Sequence, residues 1–211
     1  MMIVNEFWDM VSLLETVLAH NKLEEPQSIH NISYFTEQIY KEVQLNYPKL
    51  NISDEEIENV SKLATIHDIG KLFTPYEILN KKGKLTKDEM DIIKKHPLNG
   101  ANMALKLPKC GKASKLVQYA YNICLYHHER YDGQGYPKGL IGDEIPLCAQ
   151  VVGLADAYDA LISERPYKRK INHDEAVRMI VNGECGSFSP KVILSFIIAS
   201  MNKMWIEKVS K

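Results

Sequence analysis

Histidine and aspartate recur in this sequence at places where ordinary folding does not need them. His67 and Asp68 adjoin inside "LATIHDIGKL", where Leu63, Ala64, Ile66, Ile69 and Leu72 are apolar. A carboxylate among such neighbours must be paired, strongly hydrogen-bonded or bound to a metal. A second doublet, His127 and His128, follows the apolar run "YNICLY", and each ring needs partners for two nitrogens. His96 stands in "KKHPLNG", and His30 in a stretch of helical period. Any one of these alone reads as a surface or satisfied core residue, and His20 and His173 keep that reading. Asp156 and Asp159, one turn apart, fall in "LCAQVVGLADAYDALI", a helix so apolar that it has no polar face to offer them.

Imidazole and carboxylate without thiolate suit iron, manganese, zinc or nickel, and such a set with room for water suits hydrolysis. Adjacent residues of a helix point about 100° apart, so each doublet can straddle a site and serve two metals, or a metal and a phosphate. Lys71, four residues after His67, reads equally as a ligand for a phosphate oxygen and as a solvated lysine. Arg165 and Lys168 in "SERPYKRK" are phosphate clamps if near the site and surface charges otherwise.

The elements that position these residues are helical. Apolar periodicity predicts helices over 3–20, 28–46, 54–69, 86–95, 98–107, 113–128, 146–162, 173–181 and 190–204. "SDEE" from Ser53 and "LTKDE" with Thr86 are start signals, and Pro146 and Pro190 suit first turns. No strand alternation or repeat appears, so the fold class is all-α. One polar loop, 129–144, is too rich in Gly, Asp and Pro to be helical. Residues 1–26 read as an N-terminal helix or cap, and 27–211 as the domain that carries the motifs.

The chain has 211 residues, 45% hydrophobic and 25% charged, with a net charge of −1. That composition is globular and lacks the basic footprint of a nucleic-acid binder. The N-terminus is acidic, with no lysine before Lys22, and no long uncharged stretch follows, which argues against a signal or membrane segment. Cys110, Cys124, Cys148 and Cys185 show no CxxC spacing; reduced thiols in the cytoplasm fit them.

Taken in order, "HDIGK" (67–71), "KKHPLNGANM", "HHERYDGQGYPKGLIGDEIPL" (127–147) and "ADAYDALISERPYK" (155–168) resemble the HD-GYP family, the cyclic di-GMP phosphodiesterase branch of the HD metal-dependent phosphohydrolases. The resemblance runs from His30 to about residue 198. It implies an HD-domain helical bundle with a long GYP loop, hydrolysing cyclic di-GMP to linear pGpG and onward to GMP. By the same resemblance His67, Asp68, His96, His127, His128 and Asp156 are metal ligands, and His30 is a further ligand or a neighbour of the ligands. Lys71, Tyr136, Arg165 and Lys168 correspond to residues that meet the nucleotide. Asp68, Lys71 and Asp159 are expected to carry the chemistry, Asp159 by steering water, protonating the leaving oxygen or orienting a ligand.

The sequence departs from the pattern in three places: Pro26 replaces a glutamate one turn before His30, Ser33 and Tyr34 replace "RV" after it, and Gln150 replaces an arginine. Pro26 offers no ligand, so two divalent ions are expected and not three, with iron or manganese ahead of zinc. The expected partner is a cyclic dinucleotide, with no nucleic-acid polymer and no membrane. A second copy or a signalling partner would meet the GYP loop. The rival readings are a phosphohydrolase of another nucleotide or cyclic dinucleotide, and a non-catalytic receptor; the intact ligand set argues against the receptor.

Overall fold

The computed structural model describes residues 2–21, 23, 25–108, 113–163 and 170–209. Its helices are α1 (Met2–His20), α2 (Pro26–Asn46), α3 (Asp54–Ala64), α4 (Tyr76–Leu79), α5 (Lys87–Ile93), α6 (His96–Ala104), α7 (Ala113–Tyr126), α8 (Leu147–Ile162), α9 (His173–Val181), α10 (Pro190–Ser200) and α11 (Lys203–Val209). Short 3-10 turns occur at Pro48–Leu50, Ile69–Phe73 and Gly142–Glu144. Among the described residues there is no strand, only one isolated bridge between Asp132 and Ile141 inside the long loop.

Local chemistry accounts for the helix starts. The Ser53 hydroxyl accepts from the Glu56 amide, and Asp54, Glu55 and Glu56 place negative charge at the positive end of α3. Thr86 and Glu89 form a reciprocal capping box on α5. Pro26 and Pro190 occupy first-turn positions of α2 and α10, where a missing N–H costs nothing.

The helix ends depart from the periodicity, and the departures matter. The stretch expected to run to residue 69 leaves the α form after Ala64. The amides of Thr65, Ile66 and His67 bond carbonyls three residues back, so the chain tightens toward a 3-10 pitch before the dyad. The helix expected over 113–128 ends at Tyr126, so His127 and His128 also lie just beyond a helix end. The last expected helix, 190–204, is two helices. The Asn202 side chain accepts from the Met204 amide at the break, and α11 turns to carry Trp205 inward. Short helix α4 and the three 3-10 turns carry too little periodicity to be read from sequence.

Helix α8 is the axis of the core. Val151, Val152, Leu154, Ala155, Tyr158 and Leu161 are all buried, and the helix packs between α2 and α7. Trp205 of α11 is fully buried against Phe35, Tyr158 and Phe196, and burial of such a ring contributes on the order of 3 kcal/mol. Its indole N–H donates to the Tyr158 oxygen (3.0 Å), which also shares a hydrogen bond with His173 Nδ1 (2.7 Å). Phe7, Val11 and Leu18 of α1 join this same continuous core. Helix α1 therefore packs as part of the bundle.

Two glycines let the segments that carry the histidines touch. A Cβ on Gly70 would lie 1.9 Å from the His96 carbonyl oxygen, and one on Gly153 only 2.3 Å from that of His127. Both collisions are with backbone, which cannot step aside. Gly153→Ala is therefore expected to destabilise the protein by about 3 kcal/mol and to weaken metal binding, because α8 must move away from the His127 turn. Thermal unfolding with metal analysis checks this; a variant as stable as the parent would show that the approach is not tight.

Candidate metal centre and nucleotide cleft

Three histidines are held by their own backbone. His67 Nδ1 bonds the Ala64 carbonyl at 2.9 Å, His96 Nδ1 the Ile93 carbonyl at 2.8 Å, and His127 Nδ1 the carbonyls of Ile123 and Cys124 at 2.9 and 3.0 Å. A carbonyl only accepts, so each neutral ring carries its proton on Nδ1 and turns an Nε2 lone pair inward. Those lone pairs meet other acceptors. His96 Nε2 lies 3.3 Å from His127 Nε2 and 3.0 Å from Asp68 Oδ1, which is also 3.7 Å from His127 Nε2. On the other side, His67 Nε2 is 3.3 Å from Asp68 Oδ2 and 3.6 Å from Asp156 Oδ1.

One donor atom each from Asp68, His96, His127 and His128 lies within 4.8 Å of all the others. Buried acceptors crowded this way repel unless a positive charge sits among them, and His67 Nε2 and Asp68 Oδ1 have no hydrogen-bond partner. Histidines that donate Nδ1–H to a carbonyl and present Nε2 are oriented as metal ligands are. The donor set fits divalent metal.

The electrostatics agree. Burial opposes the Asp68 carboxylate, but Lys71, His67 and His96 outweigh it and hold its pKa well below the usual range. Burial likewise opposes Asp156, and the neighbouring His67, with Nε2 3.6 Å from its carboxylate, brings it down. His127 and His128 are pushed down, first by burial and then by neighbouring imidazoles, so both are neutral and free to ligate. His67 is raised despite burial, because Asp68 and Asp156 favour a positive charge between them.

Lys71 does not share a face with His67, as a continuous helix would have it. In the 3-10 turn it falls three residues after Asp68, directly beneath it, and its ammonium pairs with Asp68 Oδ2. Asp156 is partly open to solvent, its side chain 21% exposed.

Asp159 points elsewhere. Its carboxylate accepts from Ser28, from Asn31 (2.8 Å) and from Ser163 (3.2 Å), tying α8 to the start of α2. Burial raises its pKa. His30 is exposed, and the metal-like cluster does not include it. Arg165 and Lys168 lie outside the described residues. Gln150 is buried and donates to the Ile145 carbonyl at 2.7 Å.

The long loop is closed by a residue the sequence reading did not single out. Glu129 is buried, and its carboxylate accepts from the amides of Lys138 (2.7 Å) and Leu140 (3.0 Å). Arg130 braces the same turn through the carbonyls of His127, Glu129 and Cys185 and stacks on Phe188. So folded, the loop lays Tyr136 on His128, with ring centroids 4.7 Å apart and planes 26° apart, while the Tyr136 amide donates to the His128 carbonyl. Burial holds the Tyr136 phenol protonated, a donor facing the site. Lys94, also unanticipated, sets its ammonium 5.3 Å from the centre of that ring.

No helix among the described residues is long and apolar enough to cross a membrane. Comparison with known proteins gives a consistent picture. The model of the HD domain family matches residues 17–192. A probable cyclic di-GMP phosphodiesterase of Vibrio cholerae is 44% identical over 152 residues, 72% of this chain and 34% of that protein. A cyclic di-GMP phosphodiesterase response regulator of Xanthomonas campestris is 39% identical over 161 residues, 76% of this chain and 41% of the relative. The chain thus spans less than half the length of these curated relatives.

In fold, it is similar to the crystal structure of a cyclic GMP-AMP specific phosphodiesterase of Vibrio cholerae. The TM-score is 0.64 at 17% identity, over 96% of this chain and 50% of that one. With the family model spanning most of the chain, and Asp68 and the His127–His128 pair meeting in one cluster, the chain belongs to the HD domain family and carries the ordered motifs of its HD-GYP branch.

Proposed function

We infer that this chain hydrolyses a phosphodiester bond of cyclic di-GMP, releasing linear pGpG. One observation carries the reading: Asp68 divides its two oxygens between two buried donor groups. One oxygen faces His96 and His127, and the other faces Lys71 and His67, whose Nε2 also lies 3.6 Å from Asp156 Oδ1. That division fits two divalent ions sharing one carboxylate, with His128 completing the first group. The mixed nitrogen and oxygen donors suit iron, manganese or zinc, and the HD-GYP resemblance puts iron or manganese ahead. What such ions supply is a water acidic enough to attack near neutral pH and neutralisation of charge on the phosphoryl oxygens.

The protein's own part is orientation and charge. Backbone carbonyls fix the three imidazoles, so the donors need no rearrangement. The Lys71 ammonium is placed to meet a non-bridging oxygen, and the Tyr136 hydroxyl stays protonated to donate to the substrate. Asp159, engaged by two serines and an asparagine, holds α8 to α2 and so fixes the turn that bears Asp156. It acts through that helix and does not move a proton in the cleft. Arg165 and Lys168 keep their proposed role at the nucleotide phosphates by resemblance. The names of the two curated relatives support cyclic di-GMP as substrate, and the proposed reaction is one of the cytoplasm. Ile141, exposed on the outer side of the loop, suits contact with a second copy or a signalling partner.

Anaerobically purified protein should hold two iron or manganese ions per chain and convert cyclic di-GMP to pGpG before any GMP appears. His30→Ala should keep both ions and lose at most a few-fold in rate, because His30 is exposed and Pro26 supplies no anionic ligand beside it. Elemental analysis and chromatography of the products check both statements. A third ion lost in His30→Ala would overturn the metal count, and a fully loaded protein inert toward cyclic di-GMP would overturn the function.

A further inference from the structure

We propose that Lys94 binds the second phosphate of the substrate, the one not being cleaved, and so selects cyclic dinucleotides over simple phosphodiesters. The proposal rests on the function inferred above. Lys94 closes α5 two residues before the ligand His96, and the His96 ring clamps that turn by bonding the Ile93 carbonyl at 2.8 Å. The backbone of Lys94 is therefore fixed relative to the metal-like cluster by the cluster's own ligand. Its side chain reaches the site through the GYP loop: the ammonium lies 5.3 Å from the centre of the Tyr136 ring, which itself stacks on His128.

Other lysines also sit over aromatic rings, at Trp8, Tyr119 and Tyr34, but none of those rings touches a ligand of the cluster. Lys94 is exposed, and among the described residues it is paired with no carboxylate. A hydrated cation held over an aromatic ring keeps its donors available to an incoming anion.

The chemistry of the substrate supplies the reason for a second cation. A cyclic dinucleotide carries two phosphodiester charges on one small ring. When one phosphate is at the buried cluster with Lys71, the other lies outside the cluster, on the side where Tyr136 stacks on His128 and Lys94 stands over Tyr136. A single-phosphate substrate such as bis(p-nitrophenyl) phosphate has nothing for Lys94 to hold.

The test compares the two substrates. In Lys94→Met, the ratio of kcat/KM for cyclic di-GMP to that for bis(p-nitrophenyl) phosphate should fall about tenfold, mainly through KM, as expected for losing one charged hydrogen-bond partner. Lys94→Arg, which keeps the charge, should restore most of the ratio. An unchanged ratio in Lys94→Met, with the parent enzyme cleaving both substrates, would overturn the role of Lys94 and leave the inferred function standing. A parent enzyme that cleaves only bis(p-nitrophenyl) phosphate and binds no cyclic dinucleotide would overturn that function, and this proposal with it.

Discussion

Asp68→Ala is expected to strip the bound metal and reduce phosphodiester turnover by on the order of a thousandfold or more, while the chain stays helical and soluble. The carboxylate offers one oxygen to each half of the donor cluster, 3.0 Å from His96 on one side and 3.3 Å from His67 on the other. Its removal takes a ligand from both proposed ions at once. Metal affinity is sensitive even to residues that only orient a ligand, so loss of a shared ligand should be felt more strongly.

The fold should tolerate the change. Among the described residues the Asp68 side chain accepts no backbone hydrogen bond, and the neighbouring Leu63, Ala64, Ile66 and Ile69 are buried in their own right. Lys71, which loses its contact with Asp68, is 21% exposed at the side chain and can turn to water. Circular dichroism, elemental analysis and turnover of cyclic di-GMP read the three parts separately. Full metal content with full activity would refute the bridging role, and a collapsed fold would mean that Asp68 is chiefly structural.

The residue types of the centre could be read from sequence because each was costly where it stood. A histidine beside an aspartate in an apolar run, and two acids in a buried helix, are visible as violations of the core pattern. The geometry that joins them was not visible. Apolar periodicity continues through Ile66 and Ile69, so nothing in the pattern shows the change from α to 3-10 winding after Ala64. That change moved Lys71 from the side of His67 to that of Asp68. It follows from tertiary packing, since Gly70 lies against the His96 carbonyl, 26 positions on.

Glu129 was missed for a different reason. Its partners are backbone amides at 138 and 140, and no side-chain type marks those positions. The partners of Asp159 on α2, Ser28 and Asn31, are separated from it by more than half the chain. Sequence reasoning could see that Asp159 was buried and unexplained; it could not see a strut. The helices themselves were mostly legible, because long amphipathic stretches with Ser53 or Thr86 at their starts state their own beginnings. Their ends were not, because Asn202 and the turns at 65–68 and 127–128 depend on what packs against them.

Lys71→Met should separate charge stabilisation from ligand support, two roles that the structure places on the same ammonium. The Lys71 amide donates to the Asp68 carbonyl at 2.9 Å, so its backbone is fixed beneath the dyad whatever its side chain does. In metal-loaded protein, the ions themselves balance the Asp68 carboxylate, and Lys71 is left to meet the substrate. The variant should then keep both ions and lose about ten- to thousandfold in kcat, the range for removing one preorganised partner of a developing oxyanion, with a smaller change in KM.

Metal-free protein should respond differently. There the Lys71 ammonium is the strongest of the charges that hold the Asp68 pKa down against burial. A depressed carboxylate stabilises the fold above its unfolded-state pKa and loses that contribution as pH falls through the folded value. Without Lys71 the depression shrinks, so near neutral pH the metal-free variant should be less stable than the metal-free parent, by up to about 3 kcal/mol. The loaded pair should differ much less. Thermal unfolding with and without chelator, run beside single-turnover kinetics, distinguishes the roles. Ions lost from Lys71→Met at ordinary metal concentrations would show that the ammonium supports the ligands, and equal kcat in parent and variant would remove it from the chemistry.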